Sequence, residues 1–297
     1  MKRTILFALA VGLLCACSSE NEELRMKNEE FATATAVTLT FSPYSMEEMT
    51  RAAVPDASPS GITRAATSIA SVVTKLDVWI YESGTEFTSV HQTSTDAGFG
   101  SLSVTLDKTK TYTLYAIGHR SSAAATLADG VISVPDDKVL ESMYYTTTFS
   151  PSTTTSLSCL MKRIVGKFIL ESTDALPDYA DHVKLTIYST ATRYGVGGTL
   201  ANVIDREVNY TSFSTRPDGT LTFSTNILST DAAATNFDIR IQVYDDTNAE
   251  RQNRLFEDVP IRNNYRTTYR GIIFRNVPID DISFTVDDWQ DFDVVEF

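Results

Sequence analysis

The sequence predicts an all-β protein built as two tandem β-sandwich domains. Three observations carry that expectation. The apolar runs are dominated by β-branched and aromatic residues, and Thr, Ser, Tyr and Phe are abundant, a composition suited to pleated, half-buried surfaces. Apolar and polar residues alternate with period two in one segment after another. These segments recur at roughly ten-residue spacing with turn signals between them, as sandwiches require. With 297 residues, 42% hydrophobic and 21% charged, the chain can fill one large or two ordinary domains.

The N-terminus has a different character. Met1-Lys2-Arg3 is basic, and an apolar run from Ile5 to Leu14 follows. Such a run reads as a secretory signal, too short to span a bilayer as a stable helix. Leu14-Cys15-Ala16-Cys17, with small Ala16 directly before Cys17, resembles the lipobox of bacterial lipoproteins. That resemblance implies a signal peptide over 1–16 and acylation of Cys17. Two or three acyl chains hold a protein on a membrane where one holds it only marginally. Residues 17–30, polar and acidic, read as a flexible tether. The acidic residues after Cys17 resemble the export signals of surface lipoproteins in Bacteroides-type bacteria. The expected location is the outer membrane, facing outward.

The net charge is -13, and removal of Lys2 and Arg3 with the signal makes it more acidic. No Lys/Arg cluster is present, which argues against nucleic acid as a partner. Cys15 leaves with the signal and Cys17 is acylated, so Cys159 stands alone and no intrachain disulfide is expected. Cys159 reads as a small buried hydrophobe at a strand end rather than a nucleophile.

The first sandwich is expected over 31–160 and the second over 161–297. Val37, Leu39 and Phe41 share one face of the first strand, 36–41. Residues 43–72, punctuated by Pro43, Pro55, Pro59 and Gly61, read as a long exposed connection. It carries two similar tripeptides, Thr50-Arg51-Ala52 and Thr63-Arg64-Ala65. Arg51 and Arg64 are therefore candidate sites for an Arg-specific protease. Strands follow at 75–81, 87–92, 102–106, 112–116 and 143–149, with a short helix expected over 121–129. The boundary lies near residue 160. Beyond it, strands are expected at 163–170, 183–187, 221–223, 237–243, 266–274 and 282–284, with a last extended stretch at 293–297.

Chemistry-bearing patterns are sparse. His91, His119 and His182 show no metal-ligand spacing, and His119 and His182 read as turn or strand-edge residues. Gly195-Val196-Gly197-Gly198 lacks the Lys-Ser/Thr of a phosphate loop and reads as a turn. No nucleophile elbow is present. The pairs Asp245-Asp246 and Asp287-Asp288 read as solvated carboxylates. No enzyme, metal or cofactor is expected. Trp79 alternates away from Leu76, Val78 and Ile80, on a second packed face or partly exposed, and Trp289 could pin the last strand.

Several local patterns resemble the fimbrillin-type subunits of Bacteroidales pili, including anchor and accessory subunits. They are Leu76-Asp77-Val78-Trp79-Ile80-Tyr81, Phe99-Gly100-Ser101-Leu102, Tyr112-Thr113-Leu114-Tyr115-Ala116-Ile117-Gly118-His119, Arg163-Ile164-Val165-Gly166-Lys167-Phe168 and Asn264-Tyr265-Arg266-Thr267-Thr268-Tyr269-Arg270-Gly271. The resemblance implies two transthyretin-like sandwiches and assembly by strand exchange. It implies that cleavage after Arg51 or Arg64 frees a displaced strand containing Val37, Leu39 and Phe41. It also implies a donor strand in 291–297, with Phe292, Val294, Val295 and Phe297 as the inserting side chains. The expected function is that of a structural fimbrial subunit supporting adhesion to a host or bacterial surface ligand, with other subunits as partners. Stalk, tip and anchor roles stay open. The alternative is a non-polymerising glycan-binding lipoprotein that uses Trp79, Trp289 or surface Tyr residues as stacking platforms.

Overall fold

The computed structural model describes residues 33–43, 68–213, 215–216, 218–230, 234–275 and 282–289. Within them the regular secondary structure is nearly all strand. Cys17, Arg51, Arg64, Phe292, Val294, Val295 and Phe297 lie outside the described residues.

The first half contains β1 (Ala34–Pro43), β2 (Lys75–Glu82), β3 (Thr85–Thr93), β4 (Ser101–Asp107), β5 (Tyr112–His119), β6 (Thr126–Ala128), β7 (Val131–Ser133), β8 (Ser142–Phe149) and β9 (Ser156–Arg163). Seven of them pair in the order β3-β2-β5-β8-β9-β1-β4. The two ends of this ribbon face each other. Leu76, Val78, Ile80, Leu114 and Ala116 on one side meet Val37, Leu39, Phe41, Val104, Leu106, Cys159 and Met161 on the other, in one buried cluster. The sequence alternation has this cause, since one residue in two points inward.

The second half contains β10 (Val165–Ser172), β11 (His182–Gly195), β12 (Leu200–Tyr210), β13 (Leu221–Leu228), β14 (Thr235–Tyr244), β15 (Glu250–Ile261), β16 (Tyr265–Gly271) and β17 (Ser283–Asp288). Sheet β13-β10-β16-β17 lies over a sheet ordered β15-β14-β11, with β12 also paired to β11. Phe168, Leu170, Phe223 and Ile227 interdigitate with Leu185, Ile187, Ile239, Ile241, Phe256 and Val259. Gly166 sits where β10 runs against the chain at 261–262. A Cβ there would collide with Arg262 O and Ile261 Cγ2.

The halves meet in a third cluster containing Trp79, Ile117, Ile132, Val139, Tyr144, Ile164, Val165, Ala191, Leu228 and Trp289. Strands β2 and β5 are therefore buried on both faces, and Trp79 occupies the second packed face. The β6–β7 hairpin, from the first half, extends the second half's sheet by pairing Tyr194 with Ile132 and Gly195 with Val131. This hairpin replaces the helix expected over 121–129. Its turn, Asp129-Gly130, has positive φ at both residues (50° and 73°), the geometry that Asp-Gly favours in a two-residue hairpin. Ser121 and Ala125 just before it are tied to His119 and Asp77 instead of to a helical turn. The connection expected over 43–72 is also shorter at both ends. Pro43 is the last residue of β1, and Ile69, Val72 and Val73 are buried in the first cluster.

Two polar locks hold this arrangement. Arg163, at the end of β9, is 3% exposed. It donates from Nη2 to Glu141 Oε1 (2.7 Å), and from Nη1 to Asn264 Oδ1 (2.5 Å) and Trp289 O (3.1 Å). Its guanidinium lies 3.9 Å from the Trp289 ring centroid. Asp174 accepts the main-chain N–H groups of Ile273, Phe274 and Arg275 at 2.8–3.0 Å, and the Ser172 hydroxyl. Burial alone would raise the Asp174 pKa. The bonds from Ser172 and from the main chain of Ile273, Arg275 and Phe274 outweigh it and hold the carboxyl below its ordinary value.

Arg163→Ala leaves the Glu141 carboxylate short of its partner and is expected to lower unfolding free energy by about 3–5 kcal/mol, measured by equilibrium denaturation. Lys110→Ala, which breaks an exposed pair with Glu82, is expected to leave stability almost unchanged. For Asp174 the folded pKa lies below the unfolded one, so its contribution is present above the ordinary Asp range and is lost as pH falls through the folded pKa. Asp174→Asn is expected to destabilise the protein at neutral pH and to flatten the acid limb of a stability-versus-pH curve.

Candidate functional site

The sequence places its candidate displaced strand at Val37, Leu39 and Phe41. The structure puts these residues in a definite setting. β1 lies inside a three-stranded layer, antiparallel to β4 and parallel to β9. Leu39 sits beside Leu102 on one flank and Leu157 on the other, and Phe41 sits beside Cys159. Val37 and Leu39 are fully buried and Phe41 is 4% exposed. Outward positions of the strand are Ala, Thr and Ser. β1 therefore fills a groove whose walls are β4 and β9 and whose floor is Leu76, Val78, Ile80 and Leu114. Taking it away would uncover that floor and leave two rows of main-chain groups without partners.

The ends of the groove are shaped by neighbours the sequence did not single out. Phe41 N donates to Gly100 O at 2.8 Å. Gly100 has φ +84°, and a Cβ on it would strike Ile69 Cγ2, so the Phe99-Gly100-Ser101 pattern has a local cause. After residues 44–67 in the sequence comes a 3-10 turn, Ile69–Ser71. Arg120 clamps it there, with Nε 2.6 Å from Val72 O and Nη2 3.0 Å from Ser71 O. Gly100 could have been suspected from its place at a turn. Arg120 could not, because the contact spans 48 residues.

Cys159 is fully buried next to Phe41, and burial pushes its thiol up to about 12. It is inert while β1 is in place. Trp79 and Trp289 are each 3% exposed, so neither is a stacking platform for a sugar ring. That part of the glycan-binding expectation is corrected. Trp79 serves the packing between halves, and Trp289 closes under Arg163.

His119 is more deeply placed than a strand-edge residue. Its Nε2 lies 2.7 Å from Asp77 Oδ2, and its Nδ1 lies 2.7 Å from Ser121 Oγ. Ser121 N–H also lies 3.2 Å from Nδ1, and the Ser121 hydroxyl donates to Ala123 O at 2.7 Å. Asp77 further accepts Ala125 N–H and pairs with His91 Nδ1, each at 2.7 Å. Ser121, His119 and Asp77 have the order of a nucleophile, base and acid. All three are buried, however, and their bonds tie the 120–125 segment over β2 and β5. They satisfy one another in the interior and present no reactive group to a substrate. His182 opens β11 as expected and stacks on Tyr244.

The sequence matches the family described as fimbrillin-A associated anchor proteins Mfa1 and Mfa2 over residues 19–290. No protein with a curated description matches it. Among solved structures, a candidate polysaccharide-binding protein from Bacteroides thetaiotaomicron is similar at 11% identity with TM-score 0.54. The match covers 85% of this chain and 97% of that one. A candidate adhesin from Bacteroides ovatus is similar at 13% identity with TM-score 0.50, covering 74% and 77%. The fimbrial anchor protein Mfa2 from Porphyromonas gingivalis gives 13% identity, TM-score 0.48 and coverage of 86% and 97%. At these identities the first two likenesses are ones of fold.

Leu39→Ala, which removes a fully buried side chain from the centre of the groove, is expected to cost about 2–5 kcal/mol. Thr38→Ala, on the exposed face, is expected to change little. Denaturant titration of the two variants checks the difference.

Proposed function

The chain belongs to the family of fimbrillin-A associated anchor proteins, and from that premise we propose that it is the membrane-side subunit of a cell-surface fimbria, held by lipid on Cys17. The family is one of fimbrial structural proteins and not of enzymes. In this reading residues 1–16 are removed, Cys17 is acylated, and 17–30 form a tether on the outer membrane. Residues 31–160 and 161–297 act as two domains. The single observation that carries the assembly reading is the position of β1. It is the first strand among the described residues and fills the middle of a buried layer, with 24 residues of chain (44–67) between its end at Pro43 and the next described residue, Ser68. A strand so placed can be kept, sealing the groove, or exchanged for one from a neighbour with the same apolar alternation. In an anchor it is kept, and the subunit joins the fibre by donating its C-terminal segment. Phe292, Val294, Val295 and Phe297 are the donor side chains. Adhesion is the outcome of the assembled fibre, through a surface ligand bound by its subunits.

A second reading is favoured by one feature, the presence of both Arg51 and Arg64 between β1 and Ile69. Cleavage at either residue would cut the covalent link between β1 and the rest of the fold. β1 could then leave with the lipid, and the subunit would accept a strand and polymerise head to tail.

Cys159 reports which reading holds. Protein recovered from cells is expected to start at acylated Cys17 and to resist maleimide at Cys159 until it is denatured. A mature N-terminus after Arg51 or Arg64, with ladder-forming oligomers after treatment with an Arg-specific protease, would replace the anchor reading with the second one. In that case Cys159 is expected to label once β1 has left and to be protected again by a synthetic peptide of residues 34–43.

A further inference from the structure

The two open sides of the second sandwich are finished differently. On one side the edge strands β12 and β13 are tied by side chains. Arg206 Nη2 donates to Asn226 O at 2.6 Å and to Thr225 Oγ1 at 3.0 Å, and the Tyr210 hydroxyl donates to Ser224 O at 2.7 Å. These bonds cap main-chain carbonyls along β13 and span the seam, one of the ways proteins blunt an edge. On the other side β17 ends its sheet. Among the described residues it pairs only with β16. Phe284 and Val286, alternate residues on one face of β17, are 58% and 42% exposed. Phe284 stacks on Tyr269, with ring centroids 5.5 Å apart and planes at 20°. Tyr269 in turn meets Phe256 of β15 at 5.2 Å. Phe284 is thus the uncovered end of an aromatic row whose other end, Phe256, is buried in the core.

The charges around this edge restrict what can cover it. Asp287 on β17 is exposed, as are Glu257 and Asp258, which follow Phe256 on β15. Of the nearby cations, Arg266 stands opposite Asp287 in the pairing of β16 with β17. Arg270 pairs with Glu171 and Asp218, and Arg254 donates to the carbonyls of Ile272 and Arg275. A second copy would bring a whole chain of net charge -13 to a surface that already carries exposed carboxylates, and like charges disfavour such an association. A strand with cationic ends meets no such penalty.

We propose that β17 is an acceptor edge for an extended segment of a partner protein, with alternating apolar side chains flanked by Lys or Arg. The added strand pairs its main chain with β17, and its inward side chains cover Phe284 and Val286. This surface is separate from the groove of β1 and needs neither cleavage nor strand departure to be available, so it stands or falls independently of the anchor reading.

The test uses the full mature chain and two fluorescent synthetic peptides, Lys-Lys-Val-Thr-Val-Thr-Val-Lys-Lys and the same apolar core flanked by Glu. Anisotropy is expected to show the Lys-flanked peptide binding at least about tenfold more tightly. Amide exchange is expected to slow over 283–288. Phe284→Lys and Val286→Lys are each expected to abolish binding while leaving the thermal unfolding curve in place. Absence of binding at millimolar peptide, equal binding of both peptides, or binding that survives both substitutions would overturn the proposal. So would self-association of the chain that Phe284→Lys removes, since the occupant would then be a second copy.

Discussion

The fold depends on a charge placed where charge is expensive. Arg163 sits at the point where the first sandwich hands over to the second, almost without solvent. Taking a guanidinium out of water costs several kcal/mol unless its donors are met. Burial pulls the Arg163 pKa down, and the Glu141 carboxylate, the strongest opposing influence, pulls it up. Glu141 comes from the first half, while Asn264 and Trp289 come from the second. The requirement is met only when both halves and the end of β17 are in register. Apolar contact between Trp79, Ile164 and Leu228 would favour any close approach of the two halves, whereas the hydrogen bonds of Arg163 select one.

The same residue belongs to a longer polar path. Arg120 holds the carbonyls of Ser71 and Val72, and its Nε lies 3.7 Å from the Glu141 carboxylate. Glu141 binds Arg163, and Arg163 binds Trp289. The segment that follows residue 67 and the end of β17 are therefore joined by contiguous bonds. In the anchor reading these are the start of the chain that follows the connection and the root of the donated strand. β17 stays in its sheet because Trp289 is pinned by Arg163 and by the bond from its own N–H to Asn264 O.

How much of this was legible in the sequence follows from which faces each strand buries. β1, β2, β5 and β14 were recognisable because one residue in two enters a core, and Val37, Leu39 and Phe41 were identified as one face on that ground. β12 and β15 were not anticipated. β12 is an edge strand with four consecutive exposed residues, 202–205, beside a bulge in β11. The register of β15 slips twice against β14, so its inward residues do not keep period two. The β6–β7 hairpin was hidden by its brevity and by an Ala-rich lead that imitates a helix. Pro43 looked like a breaker, yet it closes β1, as proline can at a strand end. The Asp77–His119–Ser121 cluster and the Arg163 lock could not be read at all, since their partners are 42 and 126 residues apart and no local pattern marks them.

The two terminal strands are stabilised in opposite ways, and that contrast bears on what each can do. β1 is central in its layer, with both edges paired and every inward side chain buried, so nothing short of an equivalent strand can replace it. Its departure is therefore coupled to its replacement, or prevented if the covalent link over 44–67 stays whole. β17 is an edge strand with one paired side and two half-exposed apolar side chains, so a partner can be added without anything leaving. A subunit built this way has one junction that is sealed or exchanged and one that is open to addition. The first is governed by the connection holding Arg51 and Arg64. The second is governed by the charge around Phe284, because an exposed apolar edge pairs with whatever strand its flanking carboxylates do not repel.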